Sequence, residues 1–442
     1  MGLPKREVAV VRSLGLALAL IAFAPVLPVR GASKPSFDDL VASLKSPNAK
    51  TRIDAIEALG KSRRREAVSP LAALVHDPEP KVRLQVAKSL SDLRDLSAVP
   101  AFVTLVADED AKVREESIGS LVGLYGERER TTPPARFLEI FSDEYDRSSV
   151  ALFTRVDPSV YQALAKALQD ESEGIRQEAA YSLGILDGHS AVPSLIAALQ
   201  DPVPGVRGAA ATAIGKVGTA EDGKHLIPLL SDESATVRNR VLQAIGTLKV
   251  REAGPALREI YESNRRRESG LKALACLSRI GDPAQADLFR ELVQDPDPER
   301  KRLAIEGLAR VSDGSLLPAF KKDFQREHSD ELKLAYAFAI TRLGDHAFLD
   351  SLVLCLPSAT LGKRCQGYIL ENGKGILPEL YPYLSDPDAE VRAQLADILG
   401  ASGDAGSIHA LDPLISDPSP KVADRATRAI ERLRQSGPGE AR

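Results

Sequence analysis

Tryptophan is absent from this 442-residue chain, and aromatic residues make up only 5% of it. Such a chain cannot build a large core around stacked rings. Alanine and leucine dominate its apolar set, which favours helices packed closely through small side chains. Histidine is scarce as well, at six residues: His76, His189, His225, His328, His346 and His409. None has a second histidine or a cysteine at metal-ligand spacing, and no His-Glu-x-x-His occurs, so no metal site is expected. A glycine-rich phosphate loop, a dinucleotide fingerprint and a Gly-x-Ser-x-Gly nucleophile turn are missing too. No cofactor and no catalytic residue is therefore expected. The formal net charge is -4 with no long block of one sign, which argues against a nucleic-acid partner.

Cysteine is nearly absent: Cys276, Cys355 and Cys365. An odd number makes a poor disulfide framework. Cys355 and Cys365 could meet if their segments form one helical hairpin, but three small buried apolar residues are the simpler expectation.

One long hydrophobic run exists. Lys5, Arg6 and Arg12 precede the apolar stretch from Ser13 to Val29, which contains Pro25 and Pro28 and is followed by Gly31, Ala32 and Ser33. This order is that of a secretory signal peptide, assigned here to residues 1–31. The protein is then expected outside the cytoplasm, periplasmic or extracellular, with membrane attachment only if the segment stays uncleaved. Residues 435–442 are expected to form a disordered tail.

Between these ends the chain repeats itself. Arg83, Arg114, Arg176, Arg207 and Arg238 follow Val or Ile at spacings of 31 or 62, Arg52 lies 31 before the first, and Lys301, Lys333 and Arg392 continue the series. A period near 31 predicts about thirteen units across residues 32–434. The 62-residue gap after Arg114 is assigned a degraded unit. Within a unit, Val192, Leu195, Ile196 and Leu199 share one helical face, and Val206, Ala209, Ala210, Ala213, Ile214 and Val217 share another. Asp201-Pro202 lies between, where Asp suits an N-cap and Pro a first turn. A two-helix unit of this size cannot bury its stripe alone. The expected fold is an all-α, right-handed α-solenoid. Gly184, Gly215, Gly246 and Gly400 recur near the end of the second helix, where a side chain would crowd the turn into the next unit.

The phrase Asp-Pro-x-x-x-Val-Arg-x-x-Ala resembles the HEAT-like repeats of bacterial solenoids and phycobilin lyases. The residues that carry the resemblance are Asp77/Arg83, Asp108/Arg114, Asp170/Arg176, Asp201/Arg207, Asp232/Arg238 and Asp386/Arg392, with Asp295/Lys301 as a variant. The resemblance implies a hydrogen-bonded ladder joining adjacent units, broken near residues 145, 269 and 363, where the pattern lapses. It also implies a non-enzymatic protein-binding scaffold. The alternative is a lyase-like or chaperone-like protein that assists cofactor attachment or assembly of a client.

Two features suggest where a protein partner would bind. Arg265-Arg266-Arg267 replaces the usual Asp-Pro turn and is a candidate contact for an acidic partner, while Arg63-Arg64-Arg65 forms a second basic turn. Five residues after each marked Arg or Lys, most units place polar residues (Glu57, Lys88, Thr212, Gln243, Glu306, Asp397), but three place the aromatics Tyr181, Phe338 and Tyr368. That position is expected to point away from the helix-pair core, where the aromatics either serve as binding anchors or fill gaps between neighbouring units where helix spacing varies.

Overall fold

The computed structural model describes residues 35–125 and 156–435. The proposed signal segment and degraded unit lie outside these residues, as does the tail except for Gln435, which ends the last helix. Among the described residues, every regular element is an α- or 3₁₀-helix. None of these helices is long and apolar enough to cross a membrane.

The helices form twelve pairs. The first joins Phe37–Ser43 to Ala49–Lys61, and the last joins Ile408–Leu411 to Pro420–Gln435. Between them the second helices run Pro80–Leu93, Ala111–Tyr125, Glu173–Ile185, Pro204–Val217, Ala235–Leu248, Glu268–Ile280, Pro298–Val311, Asp330–Arg342, Gly362–Asn372 and Ala389–Ala401. Each packs on the next in an unbroken row. In each pair the apolar stripes expected from the sequence meet as core: Val192 and Leu195 face Val206, Ala210 and Ile214, all buried.

The row explains the recurring glycines. A Cβ at Gly215 would come within 2.8 Å of the Ala244 side chain, and one at Gly400 within 2.7 Å of Ala429. What crowds these positions is the second helix of the following pair, rather than the turn between pairs. These Gly-on-Ala contacts let the second helices of neighbouring pairs approach closely.

Across the long gap in the repeat the flanking pairs are in direct contact. Ala111–Tyr125 packs directly on Glu173–Ile185, and Tyr125 Oη accepts the Asp157 N–H at 3.3 Å. Pairs three and four are thus neighbours. Twelve pairs fall among the described residues.

The tenth pair carries a covalent cross-link. Cys355, at the end of Leu349–Leu354, is bonded to Cys365 in Gly362–Asn372, their Cα atoms 6.2 Å apart. This corrects the expectation of three free thiols. Only Cys276 is free among the described residues; it is buried, and loss of hydration pushes its thiol up to about 12.

Candidate functional site

The turn between the two helices of a pair sets the geometry of the repeated Asp and Arg. Asp201 is not the N-cap expected of it. Val203 is the N-cap residue, and Asp201 Oδ1 accepts the Val203 N–H at 2.8 Å, closing a tight turn just ahead of the helix. Arg207 lies four residues past the N-cap. Its Nη1 donates to the carbonyls of Asp201 and Pro202 at 2.9 and 3.1 Å, so the arginine clamps its own turn. Its other edge reaches forward: Nε and Nη2 donate to Asp232 of the next pair at 2.8 and 2.9 Å. Six residues therefore separate an Arg from the Asp whose carbonyl it holds, and 25 separate it from the Asp whose carboxylate it holds. The sequence pairs Asp201/Arg207 and their equivalents belong together through the backbone, while the charge pairs run between units.

The same bidentate rung joins Arg52 to Asp77, Arg83 to Asp108, Arg176 to Asp201 and Arg392 to Asp417. Arg114 pairs with Asp170 across 56 residues, at 2.7 Å from Nε and 2.9 Å from Nη2. The ladder is thus continuous where a break near residue 145 was expected. Lys301 and Glu327 form a single-bonded version at 3.2 Å. The rungs exert their charge on the carboxylates: hydrogen bonding from Arg207 holds Asp232 below the usual carboxylate range, and Arg392 does so for Asp417.

Two breaks do occur where the pattern lapses. Arg238 clamps its own turn through the carbonyls of Asp232 and Glu233 but meets no carboxylate of the next pair among the described residues. In the tenth pair, Leu361 is the N-cap, which places Cys365 at the arginine's position. Asp386, at the acceptor position of the eleventh pair, binds the Asp388 N–H of its own turn at 2.8 Å. The disulfide sits where the ladder fails.

The three aromatics do not stand out as anchors. Tyr181 and Tyr368 are 4% exposed, and Phe338 is fully buried. Their neighbours come from pairs two apart. Tyr181 Oη accepts a hydrogen bond from Arg240, whose guanidinium also lies 5.4 Å from the ring centroid. Tyr368 Oη donates to Glu306 at 2.5 Å, while its ring stacks on Phe338 with centroids 4.5 Å apart. Arg310 continues the bridge to Glu371 at 2.8 and 3.0 Å and lies over Phe338. Side chains two pairs apart can touch only on the face toward which a stack curves. The column expected to point outward is therefore the inner ridge, and it is closed at Tyr181, Glu306 and Phe338, while Glu57, Lys88 and Gln243 in it are exposed. Tyr368 in addition stands outside the column, because the N-cap at Leu361 shifts the register and puts Leu370 there.

Glu306 is the centre of this ridge. Burial pushes its carboxyl up, but the positive charges of Arg310 and Arg302 outweigh that and hold it below its ordinary value. Burial, with the Glu306 charge beside it, pushes the Tyr368 hydroxyl well up. Opposite charges spaced two periods apart, such as Arg310 and Glu371, are the sequence signal that could have revealed the bridge.

Arg265, Arg266 and Arg267 are exposed, as expected of a contact surface. Arg265 reaches Glu291 at 3.2 Å and lies over Tyr261, and Arg267 is the N-cap of the seventh pair's second helix. The other basic turn is already engaged: Arg64 covers Phe37 and Arg65 pairs with Asp95. A cleft of about 340 Å³ lies along the ends of the eighth to tenth second helices, lined by Ser312, Thr341, Arg342 and Asn372 among others. Among the described residues, no three His, Cys, Asp or Glu side chains converge as a metal site would require.

The model for HEAT repeats matches residues 37–122, 149–215 and 223–309, more than half of the chain. Solved structures similar to it include an engineered protein (17% identity, 90% of this chain and 98% of that one, TM-score 0.36). Another is the CpcE–CpcF complex of phycocyanin lyase from Nostoc sp. PCC7120 (19%, 72% and 99%, TM-score 0.30). A third is yeast importin-beta, Kap95p (12%, 90% and 62%, TM-score 0.48). No match was found among curated proteins.

Proposed function

Because this chain belongs to the HEAT-repeat family, we propose that it is a non-enzymatic scaffold, exported from the cytoplasm, that binds protein partners along its stacked helices. The observation that carries this reading is the continuity of the stack. Among the described residues the second helices pack in an unbroken row, fastened by rungs between most neighbours and, on the inner ridge, by bridges between pairs two apart. A surface held this firmly before binding loses little conformational freedom when a partner arrives, which favours affinity from many modest contacts. The Cys355–Cys365 bond supports export, since disulfides persist in oxidising compartments and are rare in the cytosol. The basic, apolar and small-residue order of residues 1–31 supports it independently.

Chemical cross-linking of the full-length protein in the cells that make it, followed by mass spectrometry, tests the proposal. The expected result is a recurring set of proteins linked through residues of the second helices and the turns before them, with an N-terminus near Ala32 on the exported form. A chain cross-linked only to itself would overturn the scaffold reading; cytoplasmic protein that keeps Met1 would overturn export.

A further inference from the structure

The break in the ladder between the sixth and seventh pairs is asymmetric. In the sixth pair the N-cap is Ser234, with the rung acid Asp232 two residues before it and Arg238 four after. In the seventh pair the N-cap is Arg267. The same offsets put Arg265 where the regular pairs have an acid, and Leu271 where they have a base. The local turn adapts: Arg267 N–H donates to the Asn264 carbonyl at 2.8 Å in place of a side-chain carboxylate.

On one side of the break the loss is made good. Asp295, left without a base at position 271, takes Arg300 of its own pair at 3.1 and 2.9 Å. On the other side it is not. Arg238 holds the carbonyls of Asp232 and Glu233 at 2.6 and 3.0 Å, as a ladder arginine does. Its Nε and Nη2, which in six other rungs carry a carboxylate, carry none among the described residues, and the side chain is half-exposed.

Arg266 and Arg267, the two residues after the vacant acid position, are exposed and without a carboxylate partner among the described residues. The acids of the neighbourhood are already engaged: Glu233 with Arg207, Glu262 with Arg258, Glu268 with Lys272, and Glu291 with Arg265. Three guanidinium charges are left over along one edge of the stack.

We propose that this gap is a docking site for an acidic segment of a partner protein, with one Asp or Glu carboxylate taking the empty ladder position against Arg238 and neighbouring acids meeting Arg266 and Arg267. The inference rests on the scaffold reading and adds the chemistry of the partner. The same chain fills this fork with a planar two-oxygen acceptor six times over, at 2.6–3.1 Å. Bidentate guanidinium–carboxylate pairing is specific to that shape in a way that simple charge attraction is not. The remaining two charges call for a run of acids spaced within a Debye length, about 8–10 Å, of the first.

The test uses the full-length protein and a fluorescein-labelled Asp-Gly repeat peptide, with affinity read by anisotropy. An Asn-Gly peptide serves as the neutral control and inorganic triphosphate as competitor. Arg265→Asp restores an acid at the vacant rung position. It is expected to melt no lower than wild type and to weaken peptide binding at least tenfold. Arg266→Gln with Arg267→Gln is expected to weaken it to a similar degree, and Arg63→Gln with Arg64→Gln less than twofold. Should Arg265→Asp fold poorly, Arg238→Lys keeps the charge but loses the fork, and is expected to bind at least fivefold more weakly. Equal binding by all variants, or binding of the Asn-Gly peptide, would overturn the proposal. So would competition by triphosphate at concentrations below those of unlabelled peptide, which would assign the patch to phosphate. A partner that still cross-links to the Arg266/Arg267 double variant would overturn this site while leaving the scaffold function standing.

Discussion

Arg207 serves two pairs with one guanidinium, and its surroundings fix what its removal costs. Alanine there leaves the carbonyls of Asp201 and Pro202 unbonded and strands the Asp232 carboxylate, which is largely buried. Unmade hydrogen bonds of this kind cost about 1–3 kcal/mol. Arg64→Ala removes a half-exposed side chain from a surface turn, where substitutions usually stay within about 0.5 kcal/mol. Arg207→Ala is therefore expected to lower the urea midpoint clearly and Arg64→Ala to leave it nearly unchanged; equal shifts would remove the energetic argument for the ladder. The effect carries a pH signature. Hydrogen bonding from Arg207 depresses the Asp232 carboxyl in the folded state. A depressed acid contributes stability above its unfolded value, about 3.9, and loses that contribution as pH falls from there through the folded value. The difference between wild type and Arg207→Ala should be full at neutral pH and narrow below about pH 4. At this scale the sequence was only half legible. The recurring Asp and Arg were visible, but their pairing was not, because the nearest partner along the chain is not the nearest partner in space. Asp201 receives its charge from Arg176, one pair back, and only the stacking of pairs reveals that.

At the scale of the helix pair, helices and turns were readable because each follows from local rules. Apolar spacing marked the helices, and the Asp-Pro phrase marked the turn between them. The missed elements depend on register between pairs. The tenth pair illustrates this: its N-cap at Leu361 moves Cys365 into the arginine's position, so the pair lacking a rung is the pair with a disulfide. The bond closes a short loop, and in the chain-entropy account one of this length contributes about 2–3 kcal/mol. The double variant Cys355→Ala, Cys365→Ala is expected to melt several degrees lower with unchanged helical signal at low temperature. Thiol titration of the native wild type should find almost nothing reactive, because Cys276 is buried and its thiolate disfavoured. Two reactive thiols in untreated native protein would mean that the cross-link is not formed.

At the scale of the whole molecule, the period foretold a solenoid, and curvature decided what it exposes. Charge bridges over two pairs, Tyr181 with Arg240 and Glu306 with Tyr368, pull the inner ridge shut and bury the residues that a single helix wheel would place outside. A helix wheel knows its own axis but not the bend of the stack, which shows only in contacts between pairs. The last described helix, Pro420–Gln435, is amphipathic: Val422, Ala426, Ile430 and Leu433 face the stack, while Asp424, Thr427, Arg428 and Glu431 face water.

The same continuity predicts how the long gap in the repeat behaves. Pairs three and four are neighbours through the Arg114–Asp170 rung, the packing of Ala111–Tyr125 on Glu173–Ile185 and the bond from the Asp157 amide to Tyr125. Each of these joins residues on opposite sides of positions 126–155, and none passes through them. A linear stack derives its stability from nearest-neighbour contacts, and these three are expected to persist when the segment between them is shortened, leaving the entropy of closing its loop as the main change. Replacing residues 128–153 with about six Gly and Ser residues shortens that loop several-fold, which changes closure entropy by only about 1 kcal/mol, in the stabilising direction. The shortened protein is expected to melt at or slightly above the wild-type temperature in a single transition. Deleting Glu173–Ile185 instead removes the partner of both flanking helices and should split the melt into separate halves. If shortening the 128–153 segment also split the transition, the rung and the packing between pairs three and four would not suffice to join them.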